Sequence, residues 1–203
     1  GITTEHIKMN KGFVIVPLMI AAASLSTTAS AEGLNYNYVE IGYISASIDD
    51  SDFSVDGNGV GIAGSFSISE NFHVVASYAD LDYDFDINEK SYDFGLGGNY
   101  SLGKNLDLVG AVTYVSAEVS QPFLGSFDDN GYGLYVGLRG LATEQVELFG
   151  GIDYIDLSDS GSTTTVSFGG AYNFTDNWQV GAVYSTNSDG NAYNIGVRFF
   201  FGK

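Results

Sequence analysis

The chain has 203 residues, with 25 Asp and Glu against 7 Lys and Arg, a formal charge of −18, 27 Gly, 14 Tyr, 14 Phe and no Cys. That acid excess gives no basic footprint for nucleic acid, and the missing cysteines exclude disulfides, thiol catalysis and Cys-ligated zinc. Abundant glycine and aromatics disfavour long soluble helices.

Residues Met9 to Ala31 contain a short basic start, an apolar run from Phe13 to Ala23, and a Ser/Thr-rich stretch ending Ala29-Ser30-Ala31. These are the parts of a secretory signal peptide with an A-x-A cleavage site at Ala29 and Ala31. The apolar run is shorter than the roughly 20 residues a membrane-spanning helix needs. Residues 1–31 are therefore set apart as upstream residues plus a cleavable leader. Residues 32–203 are read as a single domain.

From Leu34 onward apolar and small or polar residues alternate with period two, the mark of strands with unlike faces. Ten segments are expected, at about 36–47, 58–69, 72–83, 91–102, 106–118, 131–142, 146–156, 163–174, 178–187 and 192–201. Short turns are expected at Glu70-Asn71, Gly103 to Asn105, Thr143 to Gln145 and Thr175 to Asn177. Longer acidic links are expected at 48–57, 84–90, 119–130, 157–162 and 188–191. In the third segment Phe72, Val74, Ala76 and Tyr78 share one parity while Leu81, Tyr83 and Phe85 share the other. That slip near Ala79 predicts a β-bulge or a strong bend.

Alternation alone does not say which face is wet. Three features point the apolar face toward lipid. Tilted strands of this length cross a hydrocarbon band of roughly 25 Å. Aromatics stand at the ends of many apolar faces, as Tyr92 and Tyr100 do, which suits two membrane interfaces. The other face is built from Gly, Ala, Ser, Thr and Asn, too small for the exterior of a soluble protein. The expected fold is an all-β, closed, antiparallel up-and-down transmembrane barrel of about ten strands, with eight as the alternative. A soluble lipocalin-like barrel is the rival reading.

Both arginines of the strand region, Arg139 and Arg198, fall on the non-apolar parity with Glu40, Asp93, Asp107, Glu147 and Asp153. Lone charges in a narrow lumen are unfavourable, so a paired lumenal network is expected. The acidic runs Asp80 to Asp86 and Asp49 to Asp56 lack the spacing of a calcium loop. Gly57 to Gly61 opens a strand and has no lysine, so it is no phosphate cradle. No metal site or cofactor is expected.

The last strand reads Asn194-Ile-Gly196-Val-Arg-Phe199-Phe-Phe201, which resembles the assembly signal of bacterial outer-membrane proteins at Asn194, Gly196, Phe199 and Phe201. The chain from residue 32 as a whole resembles the small outer-membrane barrel superfamily that includes the OmpA/OmpX type. Those barrels have eight strands, and many end on the aromatic itself. The resemblance implies location in the outer membrane of a Gram-negative cell, among lipid and lipopolysaccharide. It also implies handling by periplasmic chaperones and the barrel-assembly machinery. Ten strands also resemble the omptin proteases, but the barrel region has the single histidine His73, expected at the periplasmic interface, and no Ser/His arrangement. A structural or surface-interaction role without catalysis is expected. The alternatives are a narrow porin-like channel and an adhesion or host-interaction protein.

Overall fold

The structure, a computed structural model, describes residues 34–50, 53–122 and 125–202. The leader, with Ala29 and Ala31, lies outside the described residues. Ten strands follow one another: β1 (Tyr38–Asp50), β2 (Phe53–Ser67), β3 (Phe72–Tyr83), β4 (Ile87–Gly103), β5 (Leu106–Gln121), β6 (Gly125–Leu141), β7 (Val146–Leu157), β8 (Gly161–Asn173), β9 (Trp178–Thr186) and β10 (Gly190–Phe200). Each pairs antiparallel with its chain neighbours, and β1 closes on β10. The fold is the closed ten-stranded barrel, not the eight-stranded one.

The strands are strongly staggered. A register line leaving β1 at Ser47 runs through Thr186, Ile152 and Gly110 and arrives at Phe72, the first residue of β3. It therefore descends the barrel on passing from β10 to β3, as strands tilted near ~45° require. Both strand termini and the turns 68–71, 104–105, 142–145 and 174–177 lie at one end, here the terminal end; the other is the distal end.

The outward face carries an unbroken apolar band, including Ile41, Ile62, Phe94, Leu96, Val112, Val136, Ile152 and Ile195. Two aromatic rings bound it. Toward the distal end Tyr193 pairs in register with Tyr184 and that with Phe168, Tyr114 pairs with both Tyr132 and Phe94, and Tyr92 pairs with Tyr78. Toward the terminal end stand Phe72, Tyr100, Tyr172, Phe174 and Trp178. Residues 92 and 100 of β4 are separated along the barrel axis by about 20 Å, close to the thickness of an outer-membrane hydrocarbon layer.

Two expectations fail together. The first three acidic links are largely strand and not loop, because β1, β2, β4, β5 and β6 run on past the tyrosine ring; the links expected at 157–162 and 188–191 do hold connections, and all distal connections are two or three residues long. Nor is there a slip at Ala79. The pairing of β3 with β2 and β4 is unbroken from one end to the other, and the single register shift in the β4–β5 ladder lies at Ser101/Gly103. What changes at Ala79 is the surroundings. Beyond the tyrosine ring Asp80 and Asp82 point out, while Ala79, Leu81 and Tyr83 point in and pack with Ile44, Ala46, Ile48, Val55 and Ala192. The distal extension is thus apolar inside and acidic outside, opposite to the band below it. Tyr78 and Tyr132 mark the border, their hydroxyls donating to Asp80 (3.2 Å) and Asp156 (3.1 Å).

This inversion separates cleanly from a slip. In detergent micelles the Asp82→Cys variant should react with a hydrophilic maleimide while Leu81→Cys stays protected until unfolding; the reverse pattern would restore the bulge.

Candidate functional site

The interior is layered, and its most distinctive layer closes the terminal end. Arg139 of β6 binds Glu147 of β7 with two parallel bonds, Nε to Oε1 at 2.6 Å and Nη2 to Oε2 at 2.9 Å. Gln179 of β9 donates to the same Glu147 Oε2 at 3.0 Å. Arg198 of β10 meets Glu40, its direct partner across the β1–β10 seam, at 2.8 Å. Both guanidinium groups lie on tyrosine rings, Arg139 4.5 Å from the Tyr36 centroid and Arg198 4.1 Å from that of Tyr38. A cation held between a carboxylate and an aromatic face recovers much of what it loses on leaving water.

Tyr36 belongs to residues 34–37, which precede β1 and turn into the barrel mouth. Its hydroxyl donates to Asp107 on β5. The Asn35 carbonyl accepts from Arg139 Nη1 at 3.3 Å, and Leu34 packs with Val109, Ala111 and Tyr135. The result is a sealed floor: Arg139 and Asp107 are 0% exposed and Arg198 is 2% exposed. His73 belongs to this layer too. It is not interfacial but inward-facing and fully buried, its ring 6.5 Å from that of Tyr36. Only a glycine fits beneath it, because a Cβ on Gly97 would lie 1.8 Å from His73 Nε2.

Two carboxylates stand higher. Asp93 accepts a hydrogen bond from Ser77, while Asp153 is buried with its Oδ1 unpartnered among the described residues. The seven charged positions read from the sequence thus all face inward, but they form two ion pairs, a tyrosine-bound Asp107 and two carboxylates without an arginine. Among the described residues no group of three His, Cys, Asp or Glu comes together as a metal centre. Of the terminal-strand residues, Asn194 and Gly196 face inward beside Gly42, and Phe199 packs outward against Trp178, with the rings tilted by 55° and their centroids 4.9 Å apart. Phe201 lies just beyond β10, its N–H donating to the Asn37 carbonyl at 3.0 Å.

Sequence reasoning missed Tyr36, Tyr38, Gln179 and Glu89, and it misplaced His73. Tyr36 and Tyr38 share the parity of Glu40, and that signal was available. Glu89 sits inside the distal extension, beside Leu81 in register and 1% exposed. Burial in this apolar layer pushes its carboxyl up to about 8, an effect that the nearby Tyr83 hydroxyl only partly offsets.

Arg139→Leu should destabilise the barrel by about 3–5 kcal/mol because Glu147 is left as a buried charge. Arg139→Leu combined with Glu147→Leu should regain most of that, both read as the temperature at which the compact form is lost in micelles. For Glu89 the folded state holds its proton more tightly than the unfolded chain, so stability is greatest below the ordinary carboxylate range. It should fall as pH rises toward about 8. Glu89→Gln should flatten that slope, and an unchanged slope would show that Glu89 does not cause it.

No family model matches the chain, and no curated protein matches it. Solved structures of similar shape include the KdgM porin (12% identity, 81% of this chain and 99% of that one, TM-score 0.47). Neisserial surface protein A is similar over 86% of this chain and 100% of its own, at 16% identity and a TM-score of 0.42. An outer-membrane channel from Pseudomonas putida F1 is similar over 89% and 98%, at 11% identity and a TM-score of 0.47. Likeness of that order assigns this chain no activity.

Proposed function

We propose that the chain is an integral outer-membrane barrel that acts through its outer surface rather than as a channel or an enzyme. The observation that carries this reading is the dry floor of the lumen. A water-filled pore wets the side chains that line it, whereas Arg139, Glu147, Asp107, Arg198, Tyr36 and Tyr38 are all at most 2% exposed. The non-catalytic reading is supported by His73, which is sealed in the same layer where no substrate reaches it.

With an even number of strands both termini share one side, which in outer-membrane barrels is the periplasm, so the acidic extension faces outward. Lipopolysaccharide is the partner we infer for it. Asp80, Asp82, Glu118 and Asp156 point out just beyond the tyrosine ring, with Lys90 between Asp80 and Glu118 in register. Divalent cations there would join carboxylates to anionic headgroups. Asn194, Gly196, Phe199 and Phe201 would serve as the signal for the barrel-assembly machinery, after passage with periplasmic chaperones. Distal connections of two or three residues offer little to an adhesive interface.

Reconstituted in planar bilayers, the folded chain should give no stable conductance steps. Discrete steps that disappear on heat unfolding would make it a channel and overturn the reading.

A further inference from the structure

Two kinds of contact close the floor, and they run in different directions. Both ion pairs follow the barrel wall, Arg139 to Glu147 between β6 and β7, and Arg198 to Glu40 between β10 and β1. Residues 34–36 run across the lumen. They enter beside β1, yet the Tyr36 hydroxyl donates to Asp107 on β5 and the Asn35 carbonyl accepts from Arg139 on β6. In this ring of strands β6 stands five from β1 whichever way it is counted, so the strap reaches the opposite wall. The Tyr36 ring is met by Arg139 from β6 and by His73 from β3, which puts it in the middle of the opening. Leu34 packs farther on, against Val109, Ala111 and Tyr135.

The strap is anchored at Asn37. Its Oδ1 accepts the Ser67 N–H at 2.9 Å and its carbonyl accepts the Phe201 N–H at 3.0 Å, from the strands on either side of β1. The β1 ladders begin at Tyr38 and use none of residues 34–36. Above the strap the lumen is not filled. Ten strands ~4.8 Å apart and tilted near ~45° make a ring of about 10 Å radius, too wide for small side chains to fill. Accordingly Ser77, Gly95, Gly151, Ser167 and Gly169 face inward and yet are only partly buried. The distal apolar clusters occupy the walls of β10 to β3 and of β5 and β7. On the remaining side Thr165 is bonded by Asn187 at 3.3 Å, and Ser167 meets Ser185 at 2.8 Å. These residues of β8, β9 and the turn after it form a polar track that leads down from the distal mouth.

We propose that the chain is a cation pore held shut by its own residues 34–36, a strap that opens the floor by swinging out on Asn37. The proposal rests on the closed-floor reading above: the resting barrel is silent because the strap is in place. Withdrawal gives up the contacts of Leu34, Asn35 and Tyr36 but no bond between strands, so the sheet stays closed while its floor opens. The route then passes Asp107 at the floor and the inward carboxylates Asp93 and Asp153 above it, a lining that favours cations. Arg139 and Arg198 keep Glu147 and Glu40 as partners and so do little to oppose that preference.

The test compares the wild type with Tyr36→Gly and Leu34→Asp, both outside the strands, in planar bilayers under a KCl gradient. Each protein is first checked for the compact form in micelles. The wild type should be silent, and both variants should give discrete steps with a reversal potential on the cation side. Steps in the wild type would overturn the closed-floor reading and the strap with it. A silent wild type beside compact, silent variants would overturn the strap alone. Steps that favour anions would overturn the assignment of the lining. Loss of the compact form in both variants would also overturn the proposal, because residues 34–36 would then hold the barrel together rather than close it.

Discussion

A strand edge left open inside a hydrocarbon layer has nowhere to place its N–H and C=O groups, so everything in this molecule depends on β1 meeting β10. The join is made specific by a charge pair. Glu40 and Arg198 are direct partners across it, and both point inward. A slip of one residue would turn one of them toward lipid, where an arginine at the midplane costs about 2–4 kcal/mol. A buried ion pair adds little net stability over apolar packing, but it discriminates strongly between registers. The residues flanking the seam repeat the message in neutral form, with Phe201 N–H bound to the Asn37 carbonyl and Asn35 Nδ2 bound to the Phe201 carbonyl.

Most of the barrel was legible because period-two alternation survives wherever both environments stay constant. Tyr92 to Leu102 reads without error: its apolar members all point outward in the structure. Legibility ended where an environment changed. At Ala79 the outside of β3 passes from lipid to water, the apolar parity switches, and a change of surroundings mimics a change of backbone. The same switch made strand extensions look like acidic loops, since Asp49, Asp56, Asp128 and Asp129 resemble loop residues yet lie in β1, β2 and β6. Sequence carries hydropathy, and hydropathy gives face only when the solvent is known.

The lumenal charges were legible as a set but not as pairs. Parity puts Arg139 and Glu147 inside, yet which carboxylate meets which arginine depends on stagger, and stagger is a property of the closed sheet. Asp107 is the register partner of Arg139, but the structure gives Arg139 a two-bond contact with Glu147 and gives Asp107 the Tyr36 hydroxyl. Residues 34–37 are the less legible element. They precede the first strand and turn inward because Leu34 and Tyr36 find an apolar and aromatic floor prepared by β5 and β6. Nothing local in that tetrapeptide announces such a partner.

The layering follows from what surrounds each level. Within the lipid band the exterior is hydrocarbon, so burying an apolar side chain in the lumen gains little over leaving it against lipid. Directional contacts do much of the holding there, beside small apolar clusters such as Leu34 with Val109 and Ala111 and Phe149 with Ala171 and Val183: guanidinium to carboxylate, guanidinium to tyrosine face, amide to Glu147. Beyond the tyrosine ring the exterior is water, and the ordinary hydrophobic effect returns. That is where Ile44, Ile48, Val55, Leu81 and Tyr83 gather inside one wall of the barrel and Val115, Ile155 and Leu157 inside another. One continuous sheet thus obeys two packing regimes, and the interior changes character at the height where its outer solvent does.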